Sequence, residues 1–539
     1  MSDSEKLPRL VPRVVPRRSL SYYGENGHPI DGGTCGIVYL ANNVAIKRIK
    51  DFLVKDTAYL CSISLIEGGL LRALDHPHII QAIDLTETAF ILPYASKGTL
   101  NIHIENLTPF EQLLASYQLL TALSYLHSYG IVHRDLKPDN ILLFEEPRDF
   151  NLKLTDFGAA KIFGSSNREF MTNERFAILY RAPEIYLEKP YGLEADVWAL
   201  GCLLYEIFLQ KPLIFPEKGF HDLVYFFGLI TKILGRPKKD EEIFKNPTSH
   251  TYGYVLRAFE EEEHPLEYPQ ELQEPQLKEI LDKILQYDPE KRPAVSEILK
   301  SPFFDPVRQK EHEWPSRTPR ETLENTSPYP RSTPQEFSNK VLDLHVHWLL
   351  EVVADHKFRI RALQSALRLF DTYLEKAKVA ASQLQLVAIA ALYIATSCCE
   401  KELPVVLDYS NLSGGAFGPP EIIKIVRYFI EVLDINLFFS VPDDYDRTED
   451  HKDDLRSYLS LSFSLLSLRF EKSPKEIHEF TLRISRAYHG EQRVFPHDLE
   501  VFQKIIKEPK LERKFLAGAL GVRVGSLPSL MEIYEELLK

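Results

Sequence analysis

Eight consecutive residues, His133-Arg134-Asp135-Leu136-Lys137-Pro138-Asp139-Asn140, put a carboxylate, an ammonium and a carboxamide on one short loop. Sixteen residues past Asn140 stands Asp156-Phe157-Gly158, a second carboxylate followed by a flexible glycine. Either could be a solvated polar turn; together, in this order, they constrain the chain strongly. A length of 539 residues leaves room for three or four domains, or fewer large ones. With 44% hydrophobic and 26% charged residues, the chain can bury large cores. A net charge of −13 argues against a general nucleic-acid binder. The one basic patch, Arg9, Arg13, Arg17 and Arg18 among three prolines, has no long apolar run and is not a secretory signal. Residues 1–28 are therefore expected to form a disordered basic tail. The five cysteines (Cys35, Cys61, Cys202, Cys398, Cys399) lack metal-ligand spacing. They read as free thiols in a reducing compartment, so an intracellular site, cytoplasmic or nuclear, is expected. The longest nearly apolar run, Leu384 to Cys399, is too short and too polar for a membrane span and reads as a buried helix.

The two loops suit transfer of a phosphoryl group to a hydroxyl. Asp135 can orient the hydroxyl and accept its proton, and Lys137 can offset charge on the moving group. Asn140 and Asp156 can hold magnesium. In order and spacing the pair resembles the catalytic and magnesium loops of protein kinases. That resemblance implies a bilobal fold, with a small β-rich N-lobe and a large α-helical C-lobe, using ATP and Mg2+.

Upstream, Ile30-Asp31-Gly32-Gly33-Thr34-Cys35-Gly36-Ile37-Val38-Tyr39 looks like a kinase glycine-rich loop. Gly33 and Gly36 occupy its second and third glycine positions, and Asp31 departs from the first. Val44-Ala45-Ile46-Lys47 follows at strand spacing after an unusually short link. The resemblance assigns Ile30, Val38, Ala45, Leu92 and Leu142 to the nucleotide pocket, with the backbone of Pro93 and Ala95 on the adenine edge. Lys47 is assigned to the phosphates, with Glu67 as its acidic partner. Gly68-Gly69 inside the Glu67 helix each cost roughly 1 kcal/mol relative to alanine. That helix is therefore expected to be marginal unless an external surface holds it.

Downstream, an amphipathic helix from about Pro109 to Tyr129 leads into the loop. Tyr180-Arg181-Ala182-Pro183-Glu184, Asp196-Val197-Trp198-Ala199-Leu200-Gly201 and Asp288-Pro289-Glu290-Lys291-Arg292 resemble large-lobe motifs, with Glu184 and Arg292 as an expected buried ion pair. Ile233-Leu234-Gly235-Arg236-Pro237 and Ser301-Pro302-Phe303-Phe304 narrow the resemblance to cyclin-dependent kinases over residues 29–304. By that resemblance Thr172 is an activating phosphosite, with Arg134 and Lys161 as its basic partners. Arg181 likewise shapes a substrate pocket that favours proline after the phosphoacceptor. Ala177 departs from the usual threonine.

Residues 305–337 are rich in proline and charge and read as a linker, able to reach roughly 100 Å at about 3 Å per residue. Trp348 to Val352, Ala362 to Leu374, Leu384 to Ala395 and Pro420 to Leu437 then follow as helical segments. In this order they resemble a cyclin box over residues 338–440, an all-α cyclin-like domain. The lysine and glutamate with which cyclins commonly clamp their kinase fall at Ser397 and Val426, with Glu400 or Lys401 as nearby substitutes. Residues 441–539 read as further helices, a candidate degenerate second cyclin fold. The implied whole is a Ser/Thr kinase acting on protein substrates with Ser/Thr-Pro sites. Its own cyclin box would sit on the N-lobe and activate it in cis, with no specific nucleic-acid partner and no membrane partner. Two alternatives stay open: a kinase whose cyclin box docks another protein, and a pseudokinase scaffold.

Overall fold

The computed structural model describes most of residues 18–312 and 345–431, plus positions 480, 481, 483, 484 and 533. The chain divides into two compact units. In the first, a five-stranded antiparallel sheet has the order β1-β2-β3-β5-β4. Its strands are β1 (His28–Gly32), β2 (Gly36–Ala41), β3 (Val44–Ile49), β4 (Asp84–Leu85) and β5 (Ala89–Pro93). The short link between β2 and β3 is a tight hairpin whose Asn42 and Asn43 both take positive φ, 46° and 61°. Asparagine tolerates that region, and such turns match the natural twist of paired strands. At Gly36 a Cβ would lie 2.4 Å from the carbonyl oxygen of Arg48, so only glycine allows the two strands to pair there.

Residues 67–73 are helical and bury Leu70 and Leu71. Gly68 packs against β5: a Cβ at this position would sit 3.2 Å from Cε1 of Phe90. The glycine that weakens the helix in isolation is therefore also what lets it lie close to the sheet.

The larger lobe is helical. Helix Pro109–Ser128 starts with Thr108 accepting from the Glu111 amide, while Glu111 Oε2 accepts from Thr108 N at 2.9 Å. This reciprocal cap, with proline at the first helical position, explains where the helix begins. Helix Glu194–Leu209 is buried along most of its length, Trp198 included. The expected Glu184–Arg292 pair is present and bidentate, at 2.7 and 2.8 Å, and almost wholly buried. Two small two-stranded ribbons complete this unit, β6 (Ile131–Val132) paired with β9 (Lys161–Ile162) and β7 (Ile141–Phe144) paired with β8 (Asn151–Leu154).

The ends of this unit differ from expectation. The disorder expected through residue 28 does not hold over residues 18–24, where helix Leu20–Tyr23 buries Tyr23. Composition misled because proline and arginine dominate only the stretch before it. Likewise, Asp305–His312 is helical, inside the range assigned to the linker.

The second unit contains helices Ile360–Lys376, Leu384–Cys399, Val406–Leu412 and Pro419–Glu431. Leu384–Cys399 is its buried central helix: only Gln385 and Cys398 are not buried. With the preceding turn (Ala381–Cys399) it is long and apolar enough to cross a membrane, yet 78% of that window is buried inside the protein. Its polar residues are satisfied locally, Thr396 Oγ1 donating to Leu392 O and Ser397 Oγ to Tyr393 O. Tyr373 meets Phe429 with ring centroids 4.6 Å apart, joining the first and last of these helices. Ser397 and Val426 are both buried. Glu400 Oε1 accepts from Arg359 N at 2.7 Å, at the start of helix Ile360–Lys376. The few described positions from 480 to 484 are helical; the rest of residues 441–539, apart from helical position 533, lie outside the described residues.

Candidate active site

The two ribbons build the site. The loop 133–140 connects β6 to β7, and Thr155-Asp156 leaves β8 before the turn into β9. Pairing β6 with β9 and β7 with β8 therefore brings residues 135 and 156 to the same end. Thr155 N donates to Asn140 O at 3.0 Å, fastening one loop to the other. Arg134 and Asp156 take positive φ, 67° and 62°. Non-glycine residues rarely adopt that conformation, and the surrounding bonds must hold it.

Those bonds are visible. Asp196, fully buried, accepts from His133 N at 2.7 Å and from Arg134 N at 2.9 Å. Arg134 is itself buried, with Nε donating to Ala159 O and Nη1 to Tyr191 Oη. The ring of His133 meets Phe157 edge-on at 5.2 Å. Asp135 is presented by this frame. Its Oδ2 accepts from Lys137 Nζ and from Asn140 Nδ2, each at 2.8 Å. Asn140 Nδ2 also donates to Asp135 O.

Lys47 arrives from β3, where it lies opposite Val38 on β2 and Phe90 on β5. Its Nζ contacts Glu67 Oε1 at 2.6 Å and Asp156 Oδ1 at 3.0 Å. Burial opposes the charge on Lys47, but the two carboxylates outweigh it and hold the ammonium well above its ordinary range. Partial burial likewise opposes ionisation of Asp156, yet Lys47, with His133 and Lys137 beyond it, keeps its carboxyl below the usual range. Burial, with the Asp156 carboxylate beyond it, holds the Glu67 carboxyl above its ordinary range, against the opposing pull of Lys47 at 2.6 Å.

The donor set fits magnesium, which takes hard oxygens from one or two protein groups and leaves positions for phosphates and water. Asn140 commits its nitrogen to Asp135, leaving its amide oxygen available. Asp156 commits Oδ1 to Lys47, and its side chain is 37% exposed.

The remaining expected nucleotide residues fall on the same sheet or beside it. Ala45 pairs with Leu40 and Leu92. Leu92 and Ala95 are buried, whereas Ile30 on β1 is exposed. Pro93 ends β5, and Leu142, half-buried on β7, bridges to Thr99. Arg181 is buried with its guanidinium over the Tyr186 ring. Gly33 and Thr172 lie outside the described residues.

Sequence reasoning missed two supports. Asp196 stood only in a lobe motif, although its carboxylate carries the loop's two backbone amides. Tyr180 Oη donates to Glu206 Oε2 at 2.6 Å, tying the segment before Ala-Pro-Glu to helix Glu194–Leu209. The motif Asp196-Val197-Trp198 was the signal for the first; nothing local signalled the second.

A family model for the protein kinase domain matches residues 25–304, and one for the cyclin N-terminal domain matches residues 316–438. The chain is similar to mitogen-activated protein kinase HOG1 of Hortaea werneckii, 34% identical over 292 residues, covering 52% of this chain and 77% of that protein. Mitogen-activated protein kinase sakA of Aspergillus fumigatus is 34% identical over 307 residues, covering 53% and 79%. The matched lobe pair, the Asp135 loop and the Lys47–Glu67–Asp156 contact agree. The chain belongs to the protein kinase family as an ATP- and magnesium-using Ser/Thr kinase that also carries a cyclin N-terminal domain.

Proposed function

We propose that the chain is a proline-directed kinase of the cyclin-dependent type, activated in cis by its own cyclin domain. The observation that carries the catalytic half is the position of Lys47 Nζ between Glu67 and Asp156, beside an Asp135 already braced by Lys137 and Asn140. In this reading Asp135 orients the substrate hydroxyl and accepts its proton, and Lys137 steadies the phosphoryl group. Lys47, set by Glu67, grips the nucleotide phosphates. Asn140 and Asp156 would hold magnesium, which would supply positive charge to offset that of the phosphates. Catalysis is then mostly positioning and electrostatics, with little covalent work for the protein. Arg181, fixed on Tyr186, borders the pocket for the residue after the acceptor.

Covalent fusion supports cis activation, because a tethered module works at an effective concentration on the order of millimolar. A second reading has the cyclin domain dock another protein. It is favoured by Ser397 and Val426, which stand where cyclins commonly carry a lysine and a glutamate. Truncation separates the two. The full chain and residues 1–336 are assayed on a Ser-Pro-x-Lys peptide. Activity only in the full chain supports cis activation, and equal activity in the truncated chain supports the docking reading.

A further inference from the structure

Strands β2, β3 and β5 share an apolar cluster on the face away from Lys47, bordered by Arg48 over the Tyr39 ring. On the face away from Lys47 lie Tyr39, Ala41, Val44, Ile46, Ala89 and Ile91. An antiparallel sheet commonly leaves one face to water. Here Ile46 and Ile91 are 1% and 0% exposed. Leu20 and Tyr23 of helix Leu20–Tyr23 cover them.

The cover is bonded as well as packed. Tyr23 Oη donates to Asp84 Oδ2 at 2.8 Å, and Asp84 is fully buried on edge strand β4. The same oxygen accepts from Arg18 N at 3.0 Å, and Oδ1 accepts from Leu85 N at 2.7 Å. At the other end, Asn42 Nδ2 in the β2–β3 hairpin donates to Tyr23 O at 3.2 Å. Residues 18–24 thus run as a strap from the β2–β3 turn, across β3 and β5, to β4. A buried carboxylate stripped of these donors would be costly. The strap and the strands beneath it are therefore fixed together. Ile46, under Tyr23, is the chain neighbour of Lys47, which points to the opposite face because side chains alternate along a strand.

We propose that Tyr23 is a positioning residue for the nucleotide. By pinning Ile46 and Asp84 it holds β3 where Lys47 reaches both Glu67 and Asp156, an arrangement set by contacts of 2.6 and 3.0 Å. The inference rests on the role given above to Lys47.

The test uses the full chain with Tyr23→Phe, which keeps the ring and deletes the hydroxyl, with Tyr23→Ala, and with Lys47→Arg. It reads KM for ATP, KM for peptide, equilibrium ATP affinity and melting temperature. Tyr23→Phe is expected to raise KM and Kd for ATP about threefold to tenfold, the range one hydrogen bond supports, with KM for peptide unchanged. Tyr23→Ala is expected to weaken ATP binding further. Unchanged ATP terms in Tyr23→Phe, with only a lower melting temperature, would overturn the inference and leave the strap a mere cover. Tyr23→Phe decides alone if Tyr23→Ala does not fold. If Lys47→Arg uses ATP normally, the parent reading fails instead; if Lys47→Arg is impaired and Tyr23→Phe is not, only the strap inference fails.

Discussion

The Asp135 loop and the Lys47–Glu67 pair serve one reaction but are held in different ways. The loop is local. Its three chemical groups lie within six residues and bond one another, and buried Asp196 fixes the backbone beneath them. The ion pair is assembled from three separate places: strand β3, the 67–73 helix and the loop after β8. Its geometry depends on how closely Gly68 lets the helix approach Phe90. A site built this way has a fixed half and an adjustable half. The adjustable half is where an activator, a strap or a mutation acts with least damage to the fold.

The largest effect comes from attacking the fixed half. Asp196→Ala leaves two buried loop amides without their acceptor, at about 1–3 kcal/mol each, so urea unfolding should show a loss of roughly 2–6 kcal/mol. A loss below about 1 kcal/mol would mean the loop is not held from beneath, and the contrast between the halves would collapse.

Gly68→Ala strikes the adjustable half. Alanine favours the helix by about 0.8–1 kcal/mol but puts a methyl group 3.2 Å from the Phe90 ring. Turnover should fall about tenfold while stability shifts by less than about 1 kcal/mol, because a small displacement of Glu67 costs transition-state positioning more than folding. Combining it with Phe90→Leu should restore part of the activity. Wild-type turnover in the single variant would show that the pair tolerates the shift.

A smaller effect is read by pH, at a residue outside both halves. Burial pushes His76 down to about 3. Its Nδ1 accepts from His78 N at 3.2 Å and its ring lies on Tyr125, an arrangement that suits neutral imidazole. The folded-state value lies below the ordinary value of about 6.5, so the unfolded chain binds more protons between them. Stability is therefore full above about pH 6.5 and is lost as pH falls toward 3. Between pH 7 and 5 the loss should be about 1–2 kcal/mol, and His76→Gln should reduce it. An equal loss in the variant would place the titrating group elsewhere.

How much was legible follows the same division. The Asp135 loop, the Asp156 turn and the capped helix before them are runs of adjacent residues, so their chemistry showed directly. Glu184 and Arg292, 108 residues apart, were paired through resemblance rather than pattern. Asp196 was visible as a motif, but its work was not, because the loop amides it accepts from lie 62 and 63 residues away. Gly68 read as a weak point in a helix; its second role depends on Phe90, which only the fold brings near. Tyr23 was lost in a tail judged by its prolines and arginines. The counter-signal was present: Ile46 and Ile91 lie on the sheet face opposite Lys47, and an apolar face there needs a cover.

The most direct test of the account compares the full chain with Asp135→Asn for phosphate transfer from ATP to a Ser-Pro-x-Lys peptide and its Ser-Ala control. The account predicts transfer to the Ser-Pro peptide alone, reduced about a hundredfold to ten-thousandfold in Asp135→Asn with ATP affinity retained. Equal transfer by Asp135→Asn would contradict the assignment of the loop, and equal labelling of both peptides would contradict proline direction.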